Sequence, residues 1–161
     1  MIAVLHNIRS IHNVGSIFRT ADSAGIEKIY LGGFTPAPAD ELGKIRKPFV
    51  KVSLGAEKYV AWEKVHSTVK LFKKLKKGGY QIFAIEQSKK SIPYYQVKIA
   101  RIKKVALVVG HEVNGIPSKI LSRADKILEI PMHGKKESLN VAVAFGIVAY
   151  HFANGTYNRR I

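Results

Sequence analysis

The sequence predicts one α/β domain, a mostly parallel sheet covered by helices on both faces. Three observations carry that expectation. Short apolar runs rich in Ile and Val alternate along the chain with segments of helical periodicity. Helical segments stand between most of the runs, which suits parallel strands buried on both faces. Finally, 161 residues with 47% hydrophobic content, no internal repeat and no Pro- or Ser-rich linker are the size of a single domain, here 1–161.

The strand candidates are residues 2–6, 28–31, 81–86, 105–109 and 126–130, each too short and too β-branched for a helix. Between the first two lies "SIHNVGSIFRTADSAG". Here Val14, Ile17, Phe18 and Ala21 recur on one face, Asn13 reads as the cap, and Arg19 points the other way. A second amphipathic helix is expected in "VHSTVKLFKKLKK". Val65, Val69, Phe72 and Leu75 form its apolar face, Lys70, Lys73, Lys74 and Lys77 point away, and Gly78-Gly79 ends it. The connection "TPAPADELGKIRKPFVKVS" (35–53) reads as long and irregular, with Lys44, Arg46, Lys47 and Lys51 giving it a charge suited to a phosphate backbone or to plain solvation.

The last helix is apolar nearly all round. Leu139, Ala142, Val143, Gly146, Ile147 and Tyr150 make one stripe, and Val141, Phe145, Val148 and Phe152 another. Such a helix needs cover on more than one side. One side can lie on the sheet while the other meets a second subunit, most simply in a two-fold homodimer. Phe145 and Val148 are the candidates for the partner-facing positions.

Charge narrows the partners. Lys and Arg number 27 against 11 acidic residues, a formal net charge of +16. A lysine-rich solvated surface and a polyanion partner both account for it. Membrane binding is disfavoured, since no basic amphipathic terminal helix or lipidation motif occurs. Nucleic acid is the favoured partner. With no cysteine, disulfides and thiolate metal sites are excluded. "MIAVLHN" lacks the features of a signal peptide, and the apolar run 141–150 is short of the roughly 18 residues of a membrane span. The expectation is a soluble, cytoplasmic protein.

Familiar chemistry is hard to place. "GHEVNG" has the glycines of a phosphate loop, but Ile116 and Pro117 stand where Lys and Ser/Thr would grip phosphate and magnesium. "HEVNG" lacks the second His of a zinc-protease helix, and no G-x-G-x-x-G follows a strand. Polar groups instead cluster after strands: Glu86-Gln87, Gly110-His111-Glu112, and Pro131 to Gly134 followed by Ser138 and Asn140. Ligands of parallel sheets bind at those strand ends.

Three stretches then acquire a common meaning. "NIRSIHNVGSIFRTADSAG" (7–25), "VALVVGHEVNGI" (105–116) and "ILEIPMHGKKESLNVAVA" (127–144) resemble, in order and spacing, the three motifs of the SpoU branch of the SPOUT RNA methyltransferases. "LGAEKYVAWE" and "IFAIEQS" also fit, so the resemblance covers nearly the whole chain.

The resemblance implies a C-terminal trefoil knot, which connection rules alone would argue against. It also implies a homodimer and S-adenosylmethionine, with no metal, as methyl donor to a ribose 2′-hydroxyl of tRNA or rRNA. The chain would be the catalytic domain alone, without an RNA-binding extension. Carried over by motif, the catalytic set is Asn13, Arg19, Glu112, Ser138 and Asn140. The positions holding the cofactor, largely through backbone groups, are Ile85, Glu86, Gly110, Ile130, Met132 and Leu139. Arg9, Lys44, Arg46 and Lys47 are the RNA-contact candidates, while His111 and His133 receive no role.

A guanidinium stays protonated in proteins. Arg19 is therefore read as holding the ribose oxygen and its neighbouring phosphate, with phosphate or water taking the proton. An i, i+3 pair with Asp22 is the structural alternative. Two other functional classes stay open: an inactive RNA-binding protein of this fold, and a base-modifying enzyme. The polar set and the "SLN" and "NVGSIFR" signatures favour ribose methylation.

Overall fold

The structure, a computed structural model, describes residues 1–99 and 102–157. Seven strands form one sheet in the order β3-β2-β1-β6-β4-β7-β5, and every pairing is parallel. In chain order these are β1 (Ile2–His6), β2 (Lys28–Gly32), β3 (Ala61–Val65), β4 (Gln81–Ile85), β5 (Ile92–Pro93), β6 (Val105–Val109) and β7 (Lys126–Glu129). The helices are α1 (Ile11–Ser23), α2 (Lys47–Ser53), α3 (Thr68–Lys77), α4 (Ser118–Leu121) and α5 (Val141–Tyr157).

Strand periodicity sorts the core into two layers. Ala3 and Leu5 of β1, with Val105, Leu107 and Val109 of β6, face a layer built with α1 and α5. Ile2, Val4, Ala106 and Val108 face the opposite layer, filled by Leu71, Phe72 and Leu75 of α3 and Ile120 of α4. Alternate side chains leave a strand on opposite faces, so each central strand feeds both layers. This is why those runs are apolar throughout.

Two strands are absent from the sequence reading. In β3, Ala61 to Lys64 are exposed and no face is apolar. β5 is two residues long and contains a proline, which a sheet edge tolerates.

Helix starts also differ. Ser10, not Asn13, caps α1: its hydroxyl accepts the Asn13 N–H at 3.3 Å, and the helix begins three residues earlier than expected. Asn13 lies in the first turn, where its side chain is free for another role. In α3, Ser67 is the cap and Val65 belongs to β3, so Thr68 and Leu71 join Phe72 and Leu75 on the buried face.

The 35–53 connection is more ordered than its composition implies. Asp40 Oδ1 accepts the N–H groups of Leu42 and Lys44, and Ala39 bridges Ile45, so a tight turn presents Lys44 and Arg46. Helix α2 follows and packs on α1 through Gly15. A Cβ on Gly15 would sit 3.1 Å from the Phe49 carbonyl oxygen and 3.2 Å from the Val52 Cβ.

Helix α5 shows the expected two-sidedness with one reassignment. Phe145 and Val148 are wholly buried in the chain's own core, together with Ala149 and the almost wholly buried Phe152. The large apolar residues left open are Val143, 51% exposed, and Tyr150, 44% exposed. The partner-facing candidates therefore move to the other stripe. Among the described residues no helix is long and apolar enough to cross a membrane.

Candidate functional site

All strands point the same way, so the ends of β4, β6 and β7 open onto one cavity. Its lining includes Ile85, Glu86, Gly110, Ile130, Met132 and Leu139, the six positions that the family resemblance implies for a cofactor. Ser138, Glu112 and Gln87 line it as well.

Two side chains hold its walls. Glu86 spends its carboxylate on backbone, accepting the Ile116 N–H at 2.8 Å and its neighbour Gln87's N–H at 3.0 Å. It pins the 110–116 loop to the end of β4. The Gln87 side-chain amide donates to the Glu137 carbonyl at 2.7 Å, tying the loop after β7 to the same rim. The sequence shows the Glu86-Gln87 pair at a strand end but gives neither side chain this work. Buried loops with unpaired backbone groups are costly, so such ties are the signal to look for.

Gly110 has a structural role of its own. A Cβ there would lie 2.6 Å from Ile116 Cγ1 and 2.7 Å from the Gly115 backbone. The need for glycine thus comes from the chain folding back on itself, rather than from a ligand alone. His111 makes the same loop rigid, its Nδ1 accepting the N–H groups of Val113 and Asn114.

Beside the cavity, the polar residues of the three quoted stretches join in one hydrogen-bonded chain. Glu112 accepts the Arg9 and Ser10 N–H groups and the Asn13 amide, each at 2.9 Å. Asn13 Oδ1 in turn accepts from the Asn140 amide at 3.0 Å. Asn140 Oδ1 caps α5 by accepting the N–H groups of Ala142 and Val143. Every polar atom of the two asparagine side chains is therefore used. Arg9 enters through its backbone; its side chain is exposed. Ser138 stands on the cavity wall outside this chain of bonds.

Partial burial acts to raise the Glu112 pKa, but the N–H donors of Arg9 and Ser10 and the Asn13 amide outweigh it and hold the carboxyl below its ordinary value. A depressed pKa stabilises the folded form above the unfolded value, and that contribution is lost as pH falls through the folded one. The melting temperature of Glu112→Gln should therefore lie below wild type at neutral pH. The gap should close on acidification below about pH 4.3, where the unfolded carboxyl is protonated. A gap independent of pH would show that the charge does not matter.

Arg19 is elsewhere. It lies six residues beyond Asn13, about 9 Å further along the helix and on another side of it. It lines a separate shallow cleft with Ser16, Thr20, Ser23, Val52 and Tyr150. Its guanidinium has no ion pair among the described residues, and the pair with Asp22 does not form. The expected constellation is thus brought together within this chain for Asn13, Glu112 and Asn140, with Ser138 nearby, but not for Arg19. Lys44, Arg46 and Lys47 are exposed on the 39–47 segment.

Comparison with known proteins gives these features a lineage. The family described as SpoU rRNA Methylase matches residues 1–150. A tRNA (guanosine(18)-2′-O)-methyltransferase of Aquifex aeolicus is 35% identical over 150 residues, covering 93% of this chain and 67% of that protein. The crystal structure of the A. aeolicus TrmH/SpoU tRNA modifying enzyme superimposes with a TM-score of 0.85 at 33% identity, over 99% of this chain and 76% of that one. An AdoMet-bound rRNA methyltransferase from Sinorhizobium meliloti gives 0.83 at 27%, over 95% and 55%. This chain spans 67% of that A. aeolicus methyltransferase and 52% of a 23S rRNA (guanosine(2553)-2′-O)-methyltransferase of Bacillus subtilis, to which it is 31% identical over 86% of its own length. On its own sequence and fold, the chain belongs to the SpoU rRNA methylase family.

Proposed function

We propose that this protein is an S-adenosylmethionine-dependent RNA methyltransferase acting on a ribose 2′-hydroxyl of tRNA or rRNA. The observation that carries the reading is the single hydrogen-bonded chain from Glu112 through Asn13 to Asn140, set at the rim of the cavity that the six cofactor positions line. Relatives named as 2′-O-methyltransferases of tRNA and rRNA support it, as does the net charge of +16.

The cavity suits the donor. Ile85, Val109, Leu128 and Ile130 offer apolar surface, and Glu86, Gln87, Glu112 and Ser138 give it a polar side. This mixture matches a ligand with an adenine ring and a charged tail. When bound, S-adenosylmethionine supplies an activated methyl group on a positively charged sulfur. What the chain must contribute is alignment of the ribose and stabilisation of the oxygen that loses its proton. Glu112, Asn13 and Asn140 are positioning residues: they lock the 7–10 loop and the start of α5 against the cavity. Ser138 is the hydroxyl on the wall that can meet substrate.

The cation is missing from that set, and a homodimer supplies it. Arg19 shares its cleft with Tyr150, and Val143 and Tyr150 leave an apolar strip on the outer face of α5. In a two-fold assembly closed over α1 and α5, the partner subunit's Arg19 reaches the cavity that this protomer's Arg19 cannot. The trefoil knot belongs to the same proposal. After β4 the chain pairs as β5 outside β7, returns to β6 on the far side of β4, and re-enters beside α1 as α5.

The test is direct. Purified protein should bind S-adenosylmethionine in a calorimeter. It should transfer a labelled methyl group to total RNA from cells lacking the gene, with the product mapped as a 2′-O-methyl nucleotide. Absence of cofactor binding, or label on a base, would overturn the reading. Replacing Val143 and Tyr150 together by Glu should give a folded monomer in sedimentation, with cofactor binding kept and transfer lost. Replacing Lys44, Arg46 and Lys47 together by Gln should weaken RNA binding and lower the slope of log K against log salt by up to about 3. Turnover at saturating RNA should largely recover.

A further inference from the structure

Phe34 is a large apolar side chain that the fold leaves in the open, 58% exposed on the turn after β2. That turn is rigid. Asn7, with a positive φ of 57°, accepts the Phe34 N–H at 3.3 Å. Next to it Thr35 is wholly buried, its hydroxyl oxygen accepting the Ile8 N–H at 3.1 Å and lying 3.0 Å from the Leu5 carbonyl oxygen. Gly33, at φ 61°, packs so closely on Asn7 that a Cβ there would collide with its Oδ1.

Beside the ring stands His111, edge-on at 6.0 Å between centroids. His111 is itself fixed by two backbone N–H groups and lines the cofactor cavity. The two rings thus span from the end of β2 to the end of β6, over the end of β1, at the cavity rim. Cations flank them. The Lys64 ammonium donates to the Thr35 carbonyl, and burial, helped by the positive charge of Arg46, holds its pKa below the ordinary lysine value. The Arg9 side chain is exposed on the adjoining 7–10 loop. The nearby carboxylate of Glu112 is occupied by its three N–H donors.

A ribose hydroxyl that must enter a pocket belongs to a nucleotide drawn out of its stack. Exposed bases in RNA loops are held by aromatic faces with cations on the adjoining phosphates. We propose that Phe34 is the stacking platform for an RNA base at or next to the methylated nucleotide, with Arg46 and Lys64 on the flanking phosphates. The proposal rests on the RNA methyltransferase reading above. Stacking accepts any base, so Phe34 positions the substrate and does not choose its sequence.

The test uses total RNA, tRNA and ribosomal RNA together, as the probe. Phe34→Ala and Phe34→Leu should each bind it about tenfold more weakly than wild type, while Phe34→Tyr stays within about twofold. The dependence on salt should not change, because no charge is removed. Melting temperature and calorimetric affinity for S-adenosylmethionine should match wild type. Wild-type affinity in Phe34→Leu would overturn the platform. So would conversion of a dimer to a monomer by Phe34→Ala, which would assign the ring to an interface between copies. Wild-type protein that neither binds nor methylates this RNA would overturn the enzyme reading as well. Wild-type methylation with an unaffected Phe34→Ala would sink the platform alone.

Discussion

Arg19→Ala should lose methyl transfer on the order of a thousandfold while binding S-adenosylmethionine as wild type does. The size follows from the role proposed for the arginine, because removing one donor aimed at developing oxygen charge costs roughly 10²–10³ in rate. The selectivity follows from the walls of the cofactor cavity, which one chain supplies by itself from residues between Ile85 and Ala144. Its side chain is exposed, so the substitution should leave the melting temperature nearly unchanged. Mixing subunits then asks where the arginine acts. A dimer pairing Arg19→Ala with a cavity-dead Gly110→Leu subunit holds one intact cavity and one intact arginine, on different chains. If the arginine works across the interface, random reassociation should restore about one quarter of wild-type sites. If it works on its own cavity, nothing should be restored. A single Arg19→Ala protein with full turnover would remove the arginine from the mechanism altogether.

That separation is illegible in the sequence, for a physical reason. Motif order brings Asn13, Glu112 and Asn140 together correctly as a group because each sits at the end or start of an element that points at the cavity. A helix, however, turns by about 100° per residue, so six residues after Asn13 the chain presents another side. Nothing local to "NVGSIFR" says what that side will meet. Five strands are readable because each holds an apolar run, and β1, β2, β4 and β6 are buried along most of their length. β3 is not, because "AWEKV" at the sheet edge has no buried face to impose alternation. The cap of α1 is hidden for a similar reason. Asn13 has the chemistry of a cap, but Ile11 already belongs to the helix, and only the position of the first turn shows that Ser10 does the capping. Helix α5 gives its two-sidedness away through composition. Which stripe faces inward depends on the sheet beneath, and the wholly or almost wholly buried residues Phe145, Val148, Ala149 and Phe152 settle it. The ties made by Glu86 and Gln87 have no signature beyond polar residues after a strand.

Gly110→Leu should abolish cofactor binding, and even Gly110→Ala should weaken it at least about tenfold. A first methyl at this position meets Ile116 Cγ1 at 2.6 Å and the Gly115 carbon and oxygen at 2.7 Å. Two of those three atoms are backbone, so no rotamer change relieves the contact. The 110–116 loop must move outward, against the hydrogen bond that Glu86 makes to the Ile116 N–H at 2.8 Å. Gly115 cannot yield toward Glu86, because a positive φ of 63° already packs it on that carboxylate. Overpacking of this kind costs roughly 1–3 kcal/mol, so the melting temperature should fall while the protein stays folded. Displacement of the loop also drags Glu112, two residues on, away from Arg9, Ser10 and Asn13. Gly110→Leu should therefore lose the pH-dependent part of the stability that the Glu112 carboxylate contributes, which Arg19→Ala should keep. RNA affinity at low salt should survive in both, since Lys44, Arg46 and Lys47 lie on a different segment. Calorimetry with S-adenosylmethionine decides the point: a Gly110→Leu protein that binds it with wild-type affinity would show that the loop has room to spare, and that the glycine is there for another reason.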